Sequence, residues 1–126
     1  MRKKYFLLIS AVVILLAGCD TTTTLDELIE FDKGDVESIE IWELDANERI
    51  EVEDSDKKQE LFAYFSSMTL KKTKQAAGKE ADKIFIIYLR GPHIEFTIYS
   101  NYTANINSED YIVEDFDMKI LESFFR

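Results

Sequence analysis

Two apolar runs around a Gly-Pro turn constrain this chain more than any other feature. Ile84-Phe85-Ile86-Ile87-Tyr88-Leu89 and Ile94-Glu95-Phe96-Thr97-Ile98-Tyr99 flank Gly91-Pro92. A two-residue loop there sets the register of an antiparallel hairpin. Leu89 then faces Ile94, Ile87 faces Phe96 and Phe85 faces Ile98, so six apolar side chains share one side. The other side pairs Tyr88 with Glu95, Ile86 with Thr97 and Ile84 with Tyr99. A slip of one residue would turn the apolar set toward water, so the register is strongly specified.

The flanking sequence supplies elements to pack on that hairpin. Val36 to Leu44 reads as a strand, with Ile39 and Ile41 on one side and Trp42 and Leu44 on the other. Asp45-Ala46-Asn47 turns it, and Arg49 to Glu53 returns with Ile50 and Val52 on one face. Residues 56–68 form the clearest helix: Leu61, Phe65 and Met68 recur at spacings of four and three, with Phe62 beside them. Asp56 is placed to cap it, with Gln59 three residues on. Thr69 to Lys74 suits a short edge strand guarded by lysines. Tyr102 to Asn107 and Tyr111 to Val113 are further strands. Asp115 is placed to cap a last helix with a stripe of Phe116, Ile120, Leu121 and Phe124. The order is β-β-α-β-β-β-β-α. The expected fold class is α+β, a mostly antiparallel sheet with two amphipathic helices on one face.

The N-terminus reads differently. Met1-Arg2-Lys3-Lys4 is basic, and Tyr5 to Gly18 carries no charge. That run is shorter than the roughly 20 apolar residues a spanning helix needs. It has the form of a signal peptide over residues 1–18. It ends in Leu16-Ala17-Gly18-Cys19, a lipobox, and Cys19 is the single cysteine of the chain. The expectation is cleavage before Cys19 and attachment of diacylglycerol to its thiol. Two acyl chains would contribute on the order of 20 kcal/mol of membrane attachment, at about 0.8 kcal/mol per methylene. Asp20 is compatible with retention at the plasma membrane, where the protein would sit lipid-anchored on the extracellular face. Residues 19–34, with Thr21-Thr22-Thr23-Thr24, read as a tether. A Thr24-x-x-Glu27 capping box leaves a short helix open there. Residues 35–126 read as one domain.

Charge and missing motifs narrow the function. Beyond Gly18 the chain has 12 basic and 25 acidic residues. Residues 20–60 hold 16 of the acids against 4 bases. Such a body does not suit nucleic acid. It would also be pushed off anionic lipid. The acidity serves solubility, or it steers a basic partner. His93 is the one histidine and lies at the turn, where solvation explains it. There is no Cys/His metal set, no Gly-x-Ser-x-Gly and no glycine-rich phosphate loop. Asp54-Ser55-Asp56 and Asp115-Phe116-Asp117 are the best short clusters for calcium. Neither continues as an EF-hand loop, and both suit helix capping. The chain is therefore expected to be no enzyme and to need no cofactor or metal. The outer hairpin face, Ile84, Ile86, Tyr88 and Tyr99 with Tyr102 nearby, is the candidate partner contact. The competing reading is that a helix or loop covers it.

The lipobox, the acidic first half, the Leu61-Phe62-Ala63-Tyr64-Phe65 helix and the Ile84 to Tyr99 hairpin resemble small single-domain lipoproteins of Gram-positive bacteria. Within that group the chain resembles, over its full length, the exclusion lipoproteins carried by integrative and conjugative elements. The resemblance implies a non-enzymatic blocker that recognises a membrane protein of the conjugation machinery in a would-be donor. No site residues carry over from it, because no motif beyond the lipobox is diagnostic. An envelope ligand-binding module, or a regulatory subunit of an envelope enzyme, is the other reading.

Overall fold

A computed structural model describes residues 22–125; the signal peptide, Cys19 and Asp20 lie outside the described residues. In chain order the elements are β1 (Thr22–Thr24), α1 (Leu25–Leu28), β2 (Ser38–Glu43), β3 (Glu48–Val52), α2 (Ser55–Ser66), β4 (Thr69–Lys72), β5 (Ile84–Arg90), β6 (Ile94–Tyr99), β7 (Thr103–Ile106), β8 (Glu109–Glu114) and α3 (Met118–Ser123). A 3-10 turn over Lys33–Asp35 precedes β2. The strands form one antiparallel sheet of eight in the order β1-β4-β8-β7-β6-β5-β2-β3.

The hairpin has the register its alternation demands. Leu89 pairs with Ile94, Ile87 with Phe96, Phe85 with Ile98, and the three outer pairs follow in step. The turn is longer than two residues. The His93 N–H donates to the Leu89 carbonyl at 3.1 Å. Gly91 and His93 both take positive φ, 112° and 59°. Gly91 is required there, because a Cβ would meet the Asp35 carbonyl oxygen at 2.2 Å.

β2 pairs along the free side of β5, setting Ile39 opposite Leu89 and Ile41 opposite Ile87. The apolar side therefore widens across four strands from β2 to β7 and continues to Tyr111 and Val113 on β8 and Leu70 on β4. Leu61, Phe62 and Phe65 of α2 and Met118 and Leu121 of α3 bury into the same cluster. Rings lock the layers together. Phe65 meets Phe96 edge-on at 5.6 Å and Tyr64 stacks on Phe116 at 4.4 Å. Such pairs add about 0.5–1.5 kcal/mol each beyond area burial.

Several local expectations change. Thr22–Thr24, read as tether, pairs with Thr69–Lys71 of β4 and becomes the sheet edge. Leu25 and Ile29 behind it enter the core, so part of the 19–34 segment belongs to the packed domain. β4 is consequently an inner strand, and its lysines do not guard an edge. Thr24 is the N-cap of α1 but makes no side-chain cap bond; the Thr23 hydroxyl instead donates to Glu27 at 2.8 Å. The cap of α2 is Asp54, which accepts from the Lys57 N–H at 3.0 Å, not Asp56. Met68 falls beyond that helix yet is fully buried. Asp117 rather than Asp115 caps α3, accepting from the Lys119 N–H at 3.0 Å. Asp115 takes φ 54° and accepts from the Thr69 hydroxyl at 3.0 Å. The expected stripe splits: Phe116, which precedes α3, and Leu121 are buried, while Ile120 and Phe124, the latter just past the helix, are exposed.

Tyr64 joins the two longer helices. Its hydroxyl donates to the Asp117 carbonyl at 2.6 Å and accepts from the Leu121 N–H at 3.1 Å. Burial, partly offset by the Leu121 bond, holds the phenol well above its ordinary titration range.

Two predictions follow from this packing. Phe96→Ala should cost about 3–5 kcal/mol, a large part of a domain's usual stability, whereas Thr97→Ala should cost little. Urea midpoints of the two variants check this, and an unchanged midpoint for Phe96→Ala would contradict the buried register. The raised Tyr64 phenol should contribute stability that is complete below a tyrosine's ordinary pKa of about 10 and fades as pH climbs above it. Tyr64→Phe should flatten that alkaline loss and cost about 1 kcal/mol at neutral pH for the missing hydrogen bonds. Denaturant titrations at pH 7 and under alkaline conditions measure both.

Candidate contact surface

The outer face of the sheet is built by the strand that docks beside the hairpin. Trp42 of β2 lies opposite Ile86, and Glu40 lies opposite Tyr88. On the far side of β2, Arg49 and Glu51 of β3 face Trp42 and Glu40. Two rows therefore cross four strands: Thr97-Ile86-Trp42-Arg49 and Glu95-Tyr88-Glu40-Glu51. Trp42 is 38% exposed, and Ile84, Ile86 and Tyr88 are half-buried beside it.

Polar groups fence this apolar strip. The Arg49 guanidinium lies 5.4 Å from the centre of the Trp42 ring and pairs with Glu40. Arg90 reaches Glu51 at 3.5 Å, and the Ser38 hydroxyl donates to the same carboxylate at 3.4 Å. The Tyr88 hydroxyl and His93 Nδ1 share a hydrogen bond of 2.6 Å. That bond gives the lone histidine a partner and fixes the tip of the tyrosine.

The other part of the face is covered. Residues 73–83 run from β4 back to β5 as a strap over the sheet. The Gly78 N–H donates to the Thr103 hydroxyl at 2.9 Å, and the Asn101 amide donates to the Lys79 carbonyl at 3.0 Å. The Asp82 and Lys83 N–H groups both donate to the Ser100 hydroxyl. Gly78 has φ 78°, and a Cβ on it would stand 2.3 Å from the Tyr99 ring. The strap thus rests on Tyr99. Tyr102 is exposed but takes φ 61° in the β6–β7 turn. The Val113 N–H donates to its carbonyl at 2.8 Å, so it sits against β8, away from β5 and β2.

Of the five residues expected to form one contact, the structure groups Ile84, Ile86 and Tyr88, puts Tyr99 under the strap, and separates Tyr102. Trp42 and Arg49 join the group, and hairpin reasoning missed them. The signal was the position of Trp42 on the side of its strand opposite Ile39 and Ile41. What the sequence lacked was the neighbour, because nothing local says that β2 pairs with β5.

The carboxylate clusters are occupied by structural work. Asp54 and Asp117 cap helices, and Asp115 holds Thr69. Among the described residues, no three His, Cys, Asp or Glu side chains gather where they could hold a metal ion. Glu109 is held below the usual carboxylate range, first by its hydrogen bond from Lys72 at 3.0 Å and then by that from Tyr111. It sits on exposed strand surface, not in a cleft. Among the described residues, no helix is long and apolar enough to cross a membrane.

The chain matches no protein-family model, no curated protein and no solved structure with which it was compared.

Proposed function

We propose that this chain is a lipoprotein held by diacylglycerol on Cys19 at the outer face of the plasma membrane, where its body works as a non-enzymatic, protein-binding blocker. The partner in this reading is a membrane protein of conjugation machinery in a would-be donor, and the outcome is exclusion of redundant transfer. The observation that carries the binding role is the open half of the outer face. A tryptophan with an arginine lying over it extends the apolar strip of Ile84, Ile86 and Tyr88, inside a fence of paired charges. An apolar centre with a polar rim is how protein interfaces are built. Tryptophan, tyrosine and arginine are the residue types that dominate their energetics. The lipobox supports the anchor, and the acidic body supports electrostatic steering of a basic partner, an effect that salt screens.

The anchor is tested by metabolic labelling with a fatty acid. Wild-type protein should take up label and Cys19→Ala should not; label persisting in Cys19→Ala removes the lipoprotein reading. The contact is tested by a transfer assay into cells displaying each variant, with surface abundance measured in parallel. Trp42→Ala and Tyr88→Ala should each weaken partner binding by roughly 1–2 kcal/mol or more. Their loss of stability should be small beside that of Phe96→Ala. Full blocking by both variants at normal surface levels would move the contact elsewhere. Wild-type protein that blocks nothing when displayed alone would favour the envelope-module reading instead.

A further inference from the structure

Among the described residues the sheet ends on β3, which pairs only with β2. Alternation along the strands shows which of its backbone groups point outward. The Leu44 N–H donates to the Ile84 carbonyl, so even-numbered residues of β2 bond toward β5 and odd-numbered ones toward β3. Ile39, Ile41 and Glu43 therefore bond to Val52, Ile50 and Glu48, their register partners. Arg49 and Glu51 turn their N–H and C=O groups away from the sheet. That is a row of open ladder positions, the template an added strand uses.

Beneath this edge lies an apolar groove of about 260 Å³ between α2 and α3. Val52 of β3 forms one wall, and Leu61, Tyr64, Ile120 and Phe124 form the others, with Lys57 and Glu60 at the rim. Ile120 and Phe124 are 43% and 37% exposed, although both are large apolar side chains. The groove adjoins the core-side face of the strand that carries the open ladder. A strand added to β3 would direct alternate side chains toward it.

Charge then selects the occupant. Residues 45–60 hold seven acidic side chains and three basic ones. Arg49 is bound to Glu40, Arg90 offsets Glu51, and the Lys58 ammonium donates to the Val36 and Glu37 carbonyls at 2.9 and 3.4 Å, which leaves Glu48 and Glu53 as the acidic groups along the edge. A second copy of β3 paired parallel and in register would set Glu48 and Glu51 against themselves, and in any register it would add its own acidic residues to this edge, which like-charge pairing disfavours. We propose that β3 is a docking edge for an extended segment of another protein that alternates apolar and basic residues, the apolar ones seated in the groove and the basic ones facing the acidic edge. This site uses the outward backbone of Arg49 and Glu51 and the groove on the core side of β3, whereas the Trp42 strip uses side chains on the outer face, so the proposal does not depend on that strip.

The test uses the full chain, ¹⁵N-labelled and held in detergent micelles, with a capped synthetic peptide alternating valine and lysine as probe. Binding should slow amide hydrogen exchange at Arg49 and Glu51 and shift the resonances of Leu61 and Ile120. N-methylation of alternate peptide residues, in the phase that faces β3, should weaken binding at least tenfold; methylation in the opposite phase should not. Phe124→Asp, a change at an exposed position, should weaken binding about tenfold while keeping the wild-type melting temperature. Binding indifferent to the phase of methylation, or shifts confined to Trp42 and Tyr88, would overturn the proposal, as would no binding at all. The transfer assay on Trp42→Ala and Tyr88→Ala can fail without affecting these readouts, so the two surfaces stand or fall separately.

Discussion

The pairing of β5 with β6 commits Phe85, Ile87, Leu89, Ile94, Phe96 and Ile98 to one side of the sheet, and everything else in the molecule responds to that commitment. Alternate residues of a strand point to opposite sides, so no local rearrangement can hide some of these six and not the others. They must be covered together. β2 and β7 extend the apolar side laterally, and Phe65 closes it from below with its ring edge against Phe96. α3 adds Leu121, and the segment after β1 adds Leu25 and Ile29. A chain with one cysteine has no disulfide to do this work.

The acidic composition had to be accommodated inside the same sheet. The β2–β3 register sets Glu40 directly opposite Glu51 and Glu43 opposite Glu48. Like charges across a strand pair destabilise it. Each pair is relieved by a neighbouring cation. Arg49 takes Glu40, Arg90 takes Glu51, and Lys83 approaches the buried Glu43 at 4.0 Å. Two of these cations come from the strand ends of β5 and its approach, the least acidic part of the chain. The uneven charge along the sequence is thus balanced in space where β2 meets β5. Arg49 has a second effect: by reaching Glu40 it lies over Trp42 and defines one edge of the open apolar strip.

What could be read in advance divides along a physical line. The hairpin register, the apolar face of α2 and the division of β2 into Ile39/Ile41 and Trp42 sides were legible, because period-2 and period-3.6 patterns are local. The caps were misplaced by two residues. Asp54 and Asp56, like Asp115 and Asp117, are equivalent acceptors for a cap, and the choice depends on where the preceding strand releases the chain. β1 was invisible: Thr22–Thr24 has no apolar alternation and becomes a strand only because β4 offers an edge. The strap was invisible for the same reason. Nothing local marks Gly78 as a contact, and its close approach to Tyr99 follows from the long return from β4 to β5. Half of the candidate contact face was therefore readable, and the half contributed by β2 and β3 was not.

Topology also bears on how an anchored body would present itself. β1 and β3 are the two ends of the sheet, separated by seven strand spacings. At about 4.8 Å each, that is at most roughly 34 Å in a twisted sheet. Cys19 precedes Thr22 by three positions, a reach of no more than about 11 Å even fully extended. A lipid on Cys19 would therefore tie the β1 edge close to the bilayer. The β3 edge, the groove beneath it and the Trp42 strip all lie at the other end of the strand order. The repulsion between this acidic end and anionic lipid acts in the same direction. With the proposed anchor in place, topology and charge would both turn that end outward, where a partner on another cell would meet it first.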